Sequence, residues 1–137
     1  MDFGNFGTVS FTKQSKVTAF VDYLFQGKVM TTKCKKCGAK FFPPRADCPY
    51  CLTSEMEWFE IGSNGKLLTF TTVTYGPLGF EADAPYVIGI VEFKEGVKIL
   101  SRISKNIDSK SIKIGMELKV TPIKLNEEKV TYEFVVT

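Results

Sequence analysis

The stretch that decides the fold is Cys34-Lys35-Lys36-Cys37, which is matched by Cys48-Pro49-Tyr50-Cys51 after a spacer of ten residues. Two residues between paired cysteines let one tight turn present both sulfur atoms to a single ion. Gly38 permits the backbone turn after the first pair, and Pro49 stiffens the second. The pattern therefore predicts one tetrahedral metal site with four thiolate ligands: Cys34, Cys37, Cys48 and Cys51.

The identity of the metal follows from the ligand set. Zinc is favoured, and iron in a rubredoxin-like arrangement is the less favoured ion, because tetrahedral sulfur suits both. A disulfide or free thiols are the other reading, which is less common for four cysteines in a reducing compartment. Four sulfur ligands leave no open position for water, so the site is predicted to be structural. Nearby cations are expected to offset the thiolate charge: Lys33, Lys35, Lys36, Lys40 and Arg45.

The 137-residue chain contains no histidine and carries a formal net charge of +3. A histidine general base, a histidine-activated nucleophile and a histidine metal ligand are therefore excluded, which disfavours ordinary hydrolase or transferase chemistry. The weak positive charge permits an anionic ligand without indicating a nucleic-acid-binding protein. Because no secretory signal precedes residue 13 and no apolar segment approaches the roughly 20 residues that span a bilayer, we expect a soluble, cytoplasmic protein without a membrane contact.

Residues 1–30 are predicted to form an N-terminal arm and an amphipathic helix. The helix is indicated by apolar side chains at i, i+3, i+4, i+7 and i+8, with Ser15 as its cap and Gly27 at its end. These side chains either belong to the core or dock on another subunit, and they are Val17, Phe20, Val21, Leu24 and Phe25. The phenylalanines of the arm are expected to pack on the body or on a partner, and they are Phe3, Phe6 and Phe11.

The region after the cysteines has the alternation and the turn residues of β-strands. Strands are predicted at 55–61, 66–75, 86–93, 97–103, 116–125 and 130–136, with a short helical turn between Asp108 and Gly115. The five predicted strands from residue 66 onward, with the helical turn between the third and the fourth of them, have the order of an OB-fold barrel. The sequence thus predicts a mainly β chain with an N-terminal helix, a rubredoxin-like zinc ribbon at 31–55 and a C-terminal five-stranded OB-fold barrel at 56–137.

The residues between and beside the cysteines resemble a known family. Cys34-Lys35-Lys36-Cys37-Gly38, Phe42-Pro43-Pro44-Arg45 and Cys48-Pro49-Tyr50-Cys51 together are similar to the signature of the acyl-CoA-associated zinc-ribbon/OB-fold proteins, long catalogued as a domain of unknown function. The resemblance extends from the helix to the last strand. One departure is Leu52, where the family often has glycine.

The resemblance implies a non-catalytic accessory subunit in a hetero-oligomer. Members of the family accompany thiolase-superfamily enzymes, with hydroxymethylglutaryl-CoA synthase or an enoyl-CoA hydratase-type chain in some complexes. It further implies that the ribbon and helix dock the partner, that the barrel helps to hold coenzyme A or an acyl-CoA, and that catalytic residues belong to the partner.

Candidate ligand-binding residues lie in two segments. Tyr75, Phe80 and Tyr86 flank a long Gly- and Pro-containing loop, and long loops in compact domains are often functional. Lys36 and Arg45 are placed to contact phosphates, with a solvated surface or an ordinary salt bridge as the alternative. The loop is otherwise a packed turn or a docking surface. The apolar tip at 41–44 is either the small core of the ribbon or an interface.

Two other functions remain open from the sequence. A single-stranded nucleic-acid-binding protein would stack bases on aromatic side chains in a basic groove, but here lysines alternate with glutamates. An enzyme in its own right would use Glu81, Asp83 and Tyr86 for acid–base chemistry, but nothing in the sequence pairs them convincingly.

Overall fold

Two sheets make up the protein in the computed structural model, which describes residues 1–9 and 13–137. The ribbon sheet contains β1 (Met30–Cys34), β2 (Lys40–Phe41) and β3 (Met56–Glu60), in the spatial order β2-β1-β3. The barrel contains β4 (Gly65–Val73), β5 (Tyr86–Phe93), β6 (Lys98–Ile103), β7 (Glu117–Lys124) and β8 (Val130–Val135). Its strands close in the order β4-β5-β6-β8-β7, so the predicted mainly β fold with a five-stranded OB-type barrel is confirmed.

The barrel is antiparallel except at its closure, where β6 and β8 meet in parallel at Ile103 and Phe134. Alternate side chains of each strand point inward and exclude water, which stabilises the fold by about 1.5–3 kcal/mol for each large apolar side chain. The inward set includes Leu67, Val91, Phe93, Ile99, Ile103, Leu118, Val120, Val130 and Phe134. The helical turn predicted after β6 is a single 3₁₀ turn, Ser109–Ser111, in which the amide of Lys110 donates a hydrogen bond to the Asp108 side chain.

The N-terminal helix, α1 (Ala19–Phe25), packs against β1, β7 and β8. Phe20, Val21 and Leu24 are buried, so the apolar stripe forms part of the core rather than a free docking face. Ser15 accepts a hydrogen bond from the amide of Val17 in the turn that precedes the helix, and Gly27 ends it with a φ of +85°. Within residues 1–9 and 13–137, no helix is long and apolar enough to cross a membrane.

The strand predicted at 55–61 is present as β3. It pairs with β1 from Cys34–Met56 to Met30–Glu60 and so lies in the ribbon sheet. The first strand of the barrel, β4, begins at Gly65. Trp58 of β3 packs on Tyr23 of α1 with ring centroids 5.3 Å apart, which holds the strand on the helix side.

An aromatic cluster joins the three parts of the chain. Phe3 and Phe6 of the arm lie 6.2 and 5.9 Å from the ring of Phe20, as expected for an arm that packs on the body. From the ribbon, Phe42 reaches the rings of Phe20 and Tyr132 at 6.0 and 5.5 Å. The apolar tip is thus a junction between ribbon, helix and barrel rather than a core of the ribbon alone. Phe11, the third phenylalanine of the arm, lies outside the described residues.

Candidate metal centre and ligand groove

The cysteines lie on two turns with the same hydrogen bonds. In the first, the amide of Gly38 donates to the carbonyl oxygen of Cys34 at 3.0 Å, and the amide of Cys34 donates to Ala39 at 2.8 Å. In the second, Leu52 donates to Cys48 at 2.8 Å, and Cys48 donates to Thr53 at 2.9 Å. The chain therefore builds one metal-binding turn twice, with Leu52 in the position of Gly38.

The four sulfur atoms converge on one point, all within 4.8 Å of one another. Cys37 Sγ and Cys48 Sγ are 3.7 Å apart. Ligands 2.3 Å from a tetrahedral zinc ion are about 3.8 Å apart, whereas a disulfide requires about 2.05 Å. The arrangement thus fits a metal ion and no disulfide is formed among these thiols. The four predicted ligands are brought together as expected.

Backbone amides contribute most directly to the electrostatics of this cluster. The amides of Lys36 and Cys37 donate to Cys34 Sγ at 3.3 and 3.5 Å. These contacts, led by the amide of Cys37, lower the pKa of the Cys34 thiol to about 7. A hydrogen bond with Cys37 and burial raise the pKa of Cys51 to about 12. Four adjacent thiols do not ionise together without a cation between them, and a divalent ion takes the place of their protons.

Two of the lysines beside the cysteines pair with glutamates, one in β3 and one in the residue before it. Lys33 Nζ lies 3.2 Å from a carboxylate oxygen of Glu57, and Lys36 Nζ lies 4.0 Å from Glu55. Such exposed pairs contribute about 0–1 kcal/mol each. Lys33 and Lys36 therefore contribute to the neutralisation of the thiolate charge only through long-range electrostatics, because their ammonium groups are paired with glutamates.

A groove of about 720 Å³ lies on the outer face of the barrel. Its floor is β5, β6, β7 and β8, and its walls are the β4–β5 loop, the β7–β8 loop and the end of the arm at Thr8 and Val9. In OB-folds the second and third barrel strands and these two loops form the usual ligand-binding face. The groove therefore lies where this fold binds ligands.

Arg102 is at the centre of this groove. Its guanidinium group lies 4.4 Å from the ring centroid of Tyr86 and 6.0 Å from that of Phe80, and one nitrogen is 3.4 Å from a carboxylate oxygen of Asp83. Lys105 Nζ donates to the carbonyl oxygen of Asp83 at 3.1 Å. The β4–β5 loop is thus held on β6 by a cation between two aromatic rings.

The loop also depends on glycine at its base. A Cβ atom at Gly76 would lie 2.2 Å from the carbonyl oxygen of Phe80, far closer than contact distance. Only glycine lets the backbone approach itself so closely, and the residue on the other side of this contact, Phe80, lines the groove.

Charges in the groove are balanced. Two cations, Arg102 and Lys129, face two carboxylates, Asp83 and Glu133. Burial raises the pKa of Glu133 above its ordinary value, although a hydrogen bond from Ser104 and the charge of Arg102 act in the opposite direction. Lys129 Nζ donates to the carbonyl oxygen of Thr8 at 3.3 Å. The groove is therefore amphipathic and close to neutral.

The five predicted ligand residues do not form one site. Phe80 and Tyr86 line the groove together, but Tyr75 is 89% exposed and does not line it. Lys36 lies on the first cysteine turn, and Arg45 lines a different cleft between ribbon and barrel. The groove residues Arg102, Lys129 and Glu133 were not predicted. The sequence feature that could have indicated the groove is the charged Arg102 between apolar residues of β6.

The residues considered for acid–base chemistry have structural roles. Asp83 pairs with Arg102, and Glu81 accepts a hydrogen bond from the amide of Gly79 at 3.0 Å within its own loop.

A closed OB-type barrel joined to a ribbon with four converging cysteines defines the class of rubredoxin-like zinc-ribbon/OB-fold proteins. Residues 24–57 match the family model of the ChsH2 rubredoxin-like zinc ribbon domain, and residues 58–121 match that of the ChsH2 C-terminal OB-fold domain. A DUF35 domain-containing scaffold protein from Methanocaldococcus jannaschii is 36% identical over 99 residues, which are 70% of this chain and 68% of that protein. The chain belongs to the DUF35 domain-containing scaffold protein family, and the resemblance is confirmed.

Two further similarities extend the comparison. The Ltp2-ChsH2(DUF35) aldolase contains a chain with the same fold, with a TM-score of 0.76 at 20% identity over 91% of this chain and 97% of that chain. A probable enoyl-CoA hydratase alpha subunit from Thermomonospora curvata is 26% identical over 91 residues, 66% of this chain but 28% of that protein.

Proposed function

We propose that this protein is a non-catalytic, zinc-binding scaffold subunit of an acyl-CoA enzyme complex. In this complex it docks a thiolase-superfamily enzyme, alone or with hydroxymethylglutaryl-CoA synthase or a hydratase, and helps to bind coenzyme A or an acyl-CoA. Membership of a scaffold family is the observation that carries the proposal. The aldolase and hydratase relatives support an enzyme partner, and a partner of this kind makes the assembly a hetero-oligomer.

Zinc is the metal that we assign to Cys34, Cys37, Cys48 and Cys51. The 3.7 Å separation of Cys37 Sγ and Cys48 Sγ supports a tetrahedral sulfur site. With four protein ligands, zinc would hold the two turns together and would not activate water. Elemental analysis of the purified protein should give one zinc per chain, and Cys48→Ser should lose it. A red protein that contains iron would contradict the assignment.

The groove is the place that we propose for coenzyme A. Its volume of about 720 Å³ lies within the range of roughly 300–1,000 Å³ that small-molecule sites occupy. Tyr86, Phe80 and Ile88 offer apolar contact, and the balanced charges suit the amide-bearing pantetheine arm and an acyl chain better than phosphates. Single-stranded nucleic acid is the less favoured occupant, because Asp83 and Glu133 would lie against its phosphates.

The β4–β5 loop is the docking surface that we propose for the partner enzyme. Tyr75 and Leu78 of this loop are each 89% exposed, and large exposed apolar side chains are typical of interfaces. Four thiols available for a metal suit the reducing cytoplasm, where we place the complex.

Co-expression with thiolase-superfamily enzymes of the same genome tests the docking proposal. We expect a stable complex that Leu78→Asp weakens strongly. Ile114→Asp, at an apolar residue that is 70% exposed outside the loop, is the matched control and should leave the complex intact. If no such enzyme co-purifies at micromolar concentration, and coenzyme A gives no thermal shift with or without the enzyme, the proposed function is wrong.

A further inference from the structure

A second cleft lies where the ribbon meets the barrel, and it shares no lining residue with the groove. This junction cleft has a volume of about 430 Å³ and runs between the segment after β2 and the β5–β6 hairpin. Three cations line it, Lys40, Arg45 and Lys98, against one carboxylate, Glu92. The lining thus carries two unbalanced positive charges, in contrast to the neutral groove.

Arg45 is held in position at this cleft by a buried side chain. Thr32 is only 2% exposed, and its Oγ1 accepts a hydrogen bond from the amide of Arg45 at 2.8 Å and donates one to the Arg45 carbonyl oxygen at 2.9 Å. The guanidinium group lies over the ring of Phe41, 5.4 Å from its centroid. Both the backbone and the charged end of Arg45 are therefore placed, while the fork of N–H donors is left for a ligand.

Lys40 is placed from the opposite side. Its Nζ donates to the carbonyl oxygen of Glu95 at 2.7 Å and lies 5.8 Å from the ring centroid of Phe59. In the part of the chain that the structure describes, no carboxylate lies within 4.0 Å of Lys40 Nζ or of the Arg45 guanidinium. The carboxylate of Glu95 itself accepts hydrogen bonds from Gly62 and Ser63.

Lys98 completes the lining with a weaker attachment. Its Nζ is 3.9 Å from Glu92, and both side chains are more than half exposed, so this pair contributes little and opens readily.

We propose that the junction cleft is a binding site for the phosphate groups of a nucleotide-type ligand, with Lys40 and Arg45 as the contacting residues. Guanidinium groups bind phosphate through two parallel N–H···O bonds, and an ammonium group adds a point charge. The proposal rests on the proposed function only in that coenzyme A would supply these phosphates. A free bisphosphate has the same chemistry and is a direct probe of the cleft.

Calorimetric titration of the zinc-loaded 137-residue chain with adenosine 3′,5′-bisphosphate tests the site. We expect measurable binding that weakens as salt rises from 50 to 300 mM, because the contacts are charged. Lys40→Gln and Arg45→Gln should each weaken binding about tenfold or more, as the loss of a hydrogen bond to a charged group predicts. Arg45→Lys keeps the charge but not the fork of N–H donors, so its affinity should lie between those of the wild type and Arg45→Gln. Lys124→Gln, on β7 outside both cavities, should bind like the wild type.

Coenzyme A and pantetheine separate this proposal from the proposed function. Coenzyme A should bind more tightly than pantetheine, and Lys40→Gln and Arg45→Gln should abolish that difference. If coenzyme A binds but the two variants bind it unchanged, the junction cleft is not a phosphate site and the groove proposal stands. If the bisphosphate binds through Lys40 and Arg45 while no partner enzyme co-purifies, the cleft stands and the proposed function fails. Binding of a single-stranded oligonucleotide through these side chains, with no affinity for the bisphosphate, would overturn the proposal.

Discussion

Leu52 adopts a left-handed backbone conformation, which Gly38 adopts without strain at the equivalent position of the other cysteine turn. Its φ is +56°, and Gly38, at the equivalent position, has a φ of +76°. A left-handed residue with a Cβ atom costs about 1–2 kcal/mol relative to glycine. The side chain of Leu52 is 88% exposed, so buried contacts do not repay this strain. The position where the family often has glycine is therefore the position at which the turn requires a positive φ.

We predict that Leu52→Gly stabilises the zinc-bound protein. Relief of the left-handed strain outweighs the greater chain entropy of glycine when unfolded, and the net gain should be about 0.5–1 kcal/mol. Urea denaturation at constant zinc concentration measures it. Gly38→Leu is the matched control and should lose a similar amount, about 0.5–1 kcal/mol, because it places the same strain in the other turn. Equal stability of Leu52→Gly and the wild type would show that contacts of the exposed Leu52 side chain stabilise the protein by about as much as the left-handed strain destabilises it.

At the residue scale, the metal centre could be predicted and the groove could not. The cysteine spacing alone defines which sulfur atoms meet, because each pair lies on a single turn. The groove instead unites Arg102 of β6, Glu133 of β8 and Asp83 of a loop, which are far apart in the sequence. Their proximity depends on barrel closure, which no local pattern specifies.

Among the elements, Phe42 connects the ribbon with the rest of the molecule. Its ring contacts Phe20 of α1 and Tyr132 of β8, whereas its neighbour Phe41 stacks on Tyr50, which is 77% exposed. Adjacent phenylalanines thus have different partners: Phe42 packs at the interior junction, and Phe41 packs between Tyr50 and Arg45.

Phe42→Ala should destabilise the protein by about 2–3 kcal/mol, less than a fully buried phenylalanine because the ring is half-buried. Phe41 is also half-buried, but its ring contacts Tyr50 and Arg45 rather than the core, so Phe41→Ala should cost less, about 1 kcal/mol. Thermal unfolding of both variants with zinc bound provides the comparison. Similar losses in both would mean that the junction is not packed as the structure has it.

The elements themselves could largely be predicted from periodicity, and their partners less well. All five barrel strands were predicted to within two residues, since each alternates apolar and polar side chains between turn residues. The strand that became β3 has the same pattern, so its pairing with β1 could not be distinguished from pairing in the barrel. Pairing depends on contacts such as Trp58 with Tyr23, which lie 35 residues apart in the chain.

For the whole molecule, the metal should determine the order of the ribbon but not the existence of the barrel. The ribbon buries few large apolar side chains of its own, while the barrel has a continuous core. We predict that removal of zinc by a chelator exposes amides of residues 30–60 to hydrogen exchange and leaves those of β5 and β6 protected. Mass spectrometry of exchanged peptides measures both. Cys48→Ser should give the same pattern without chelator, and loss of protection in β5 and β6 together with the ribbon would contradict the prediction.

Ribbon and barrel are also coupled through Glu95 in the β5–β6 turn. Its carboxylate accepts hydrogen bonds from the amides of Gly62 and Ser63, both at 3.1 Å, and from the Ser63 hydroxyl, while its carbonyl oxygen accepts one from Lys40. Burial alone would raise the pKa of Glu95, but these hydrogen bonds, led by Ser63, hold the pKa below the ordinary value of 4.5. The ionised form is thus the one that the folded protein prefers.

A lowered folded-state pKa gives stability that is present above the unfolded value and is lost as the pH falls through the folded value. Glu95→Gln should therefore lower the melting temperature at pH 7, with a deficit that shrinks below pH 4.5. Glu133 provides the matched control of opposite sign: its pKa is raised, so its charge opposes folding at pH 7, and Glu133→Gln should raise the melting temperature there and lose this advantage in acid. The melting temperature of each variant is compared with that of the wild type at the same pH. This difference cancels the effect of metal loss in acid, because the two glutamates are not in contact with the cysteines. If Glu95→Gln instead raised the melting temperature at pH 7, as is expected for Glu133→Gln, the hydrogen bonds from Gly62 and Ser63 would not favour the charged form of Glu95. The Phe42 junction would then hold ribbon and barrel together without a contribution from the Glu95 carboxylate.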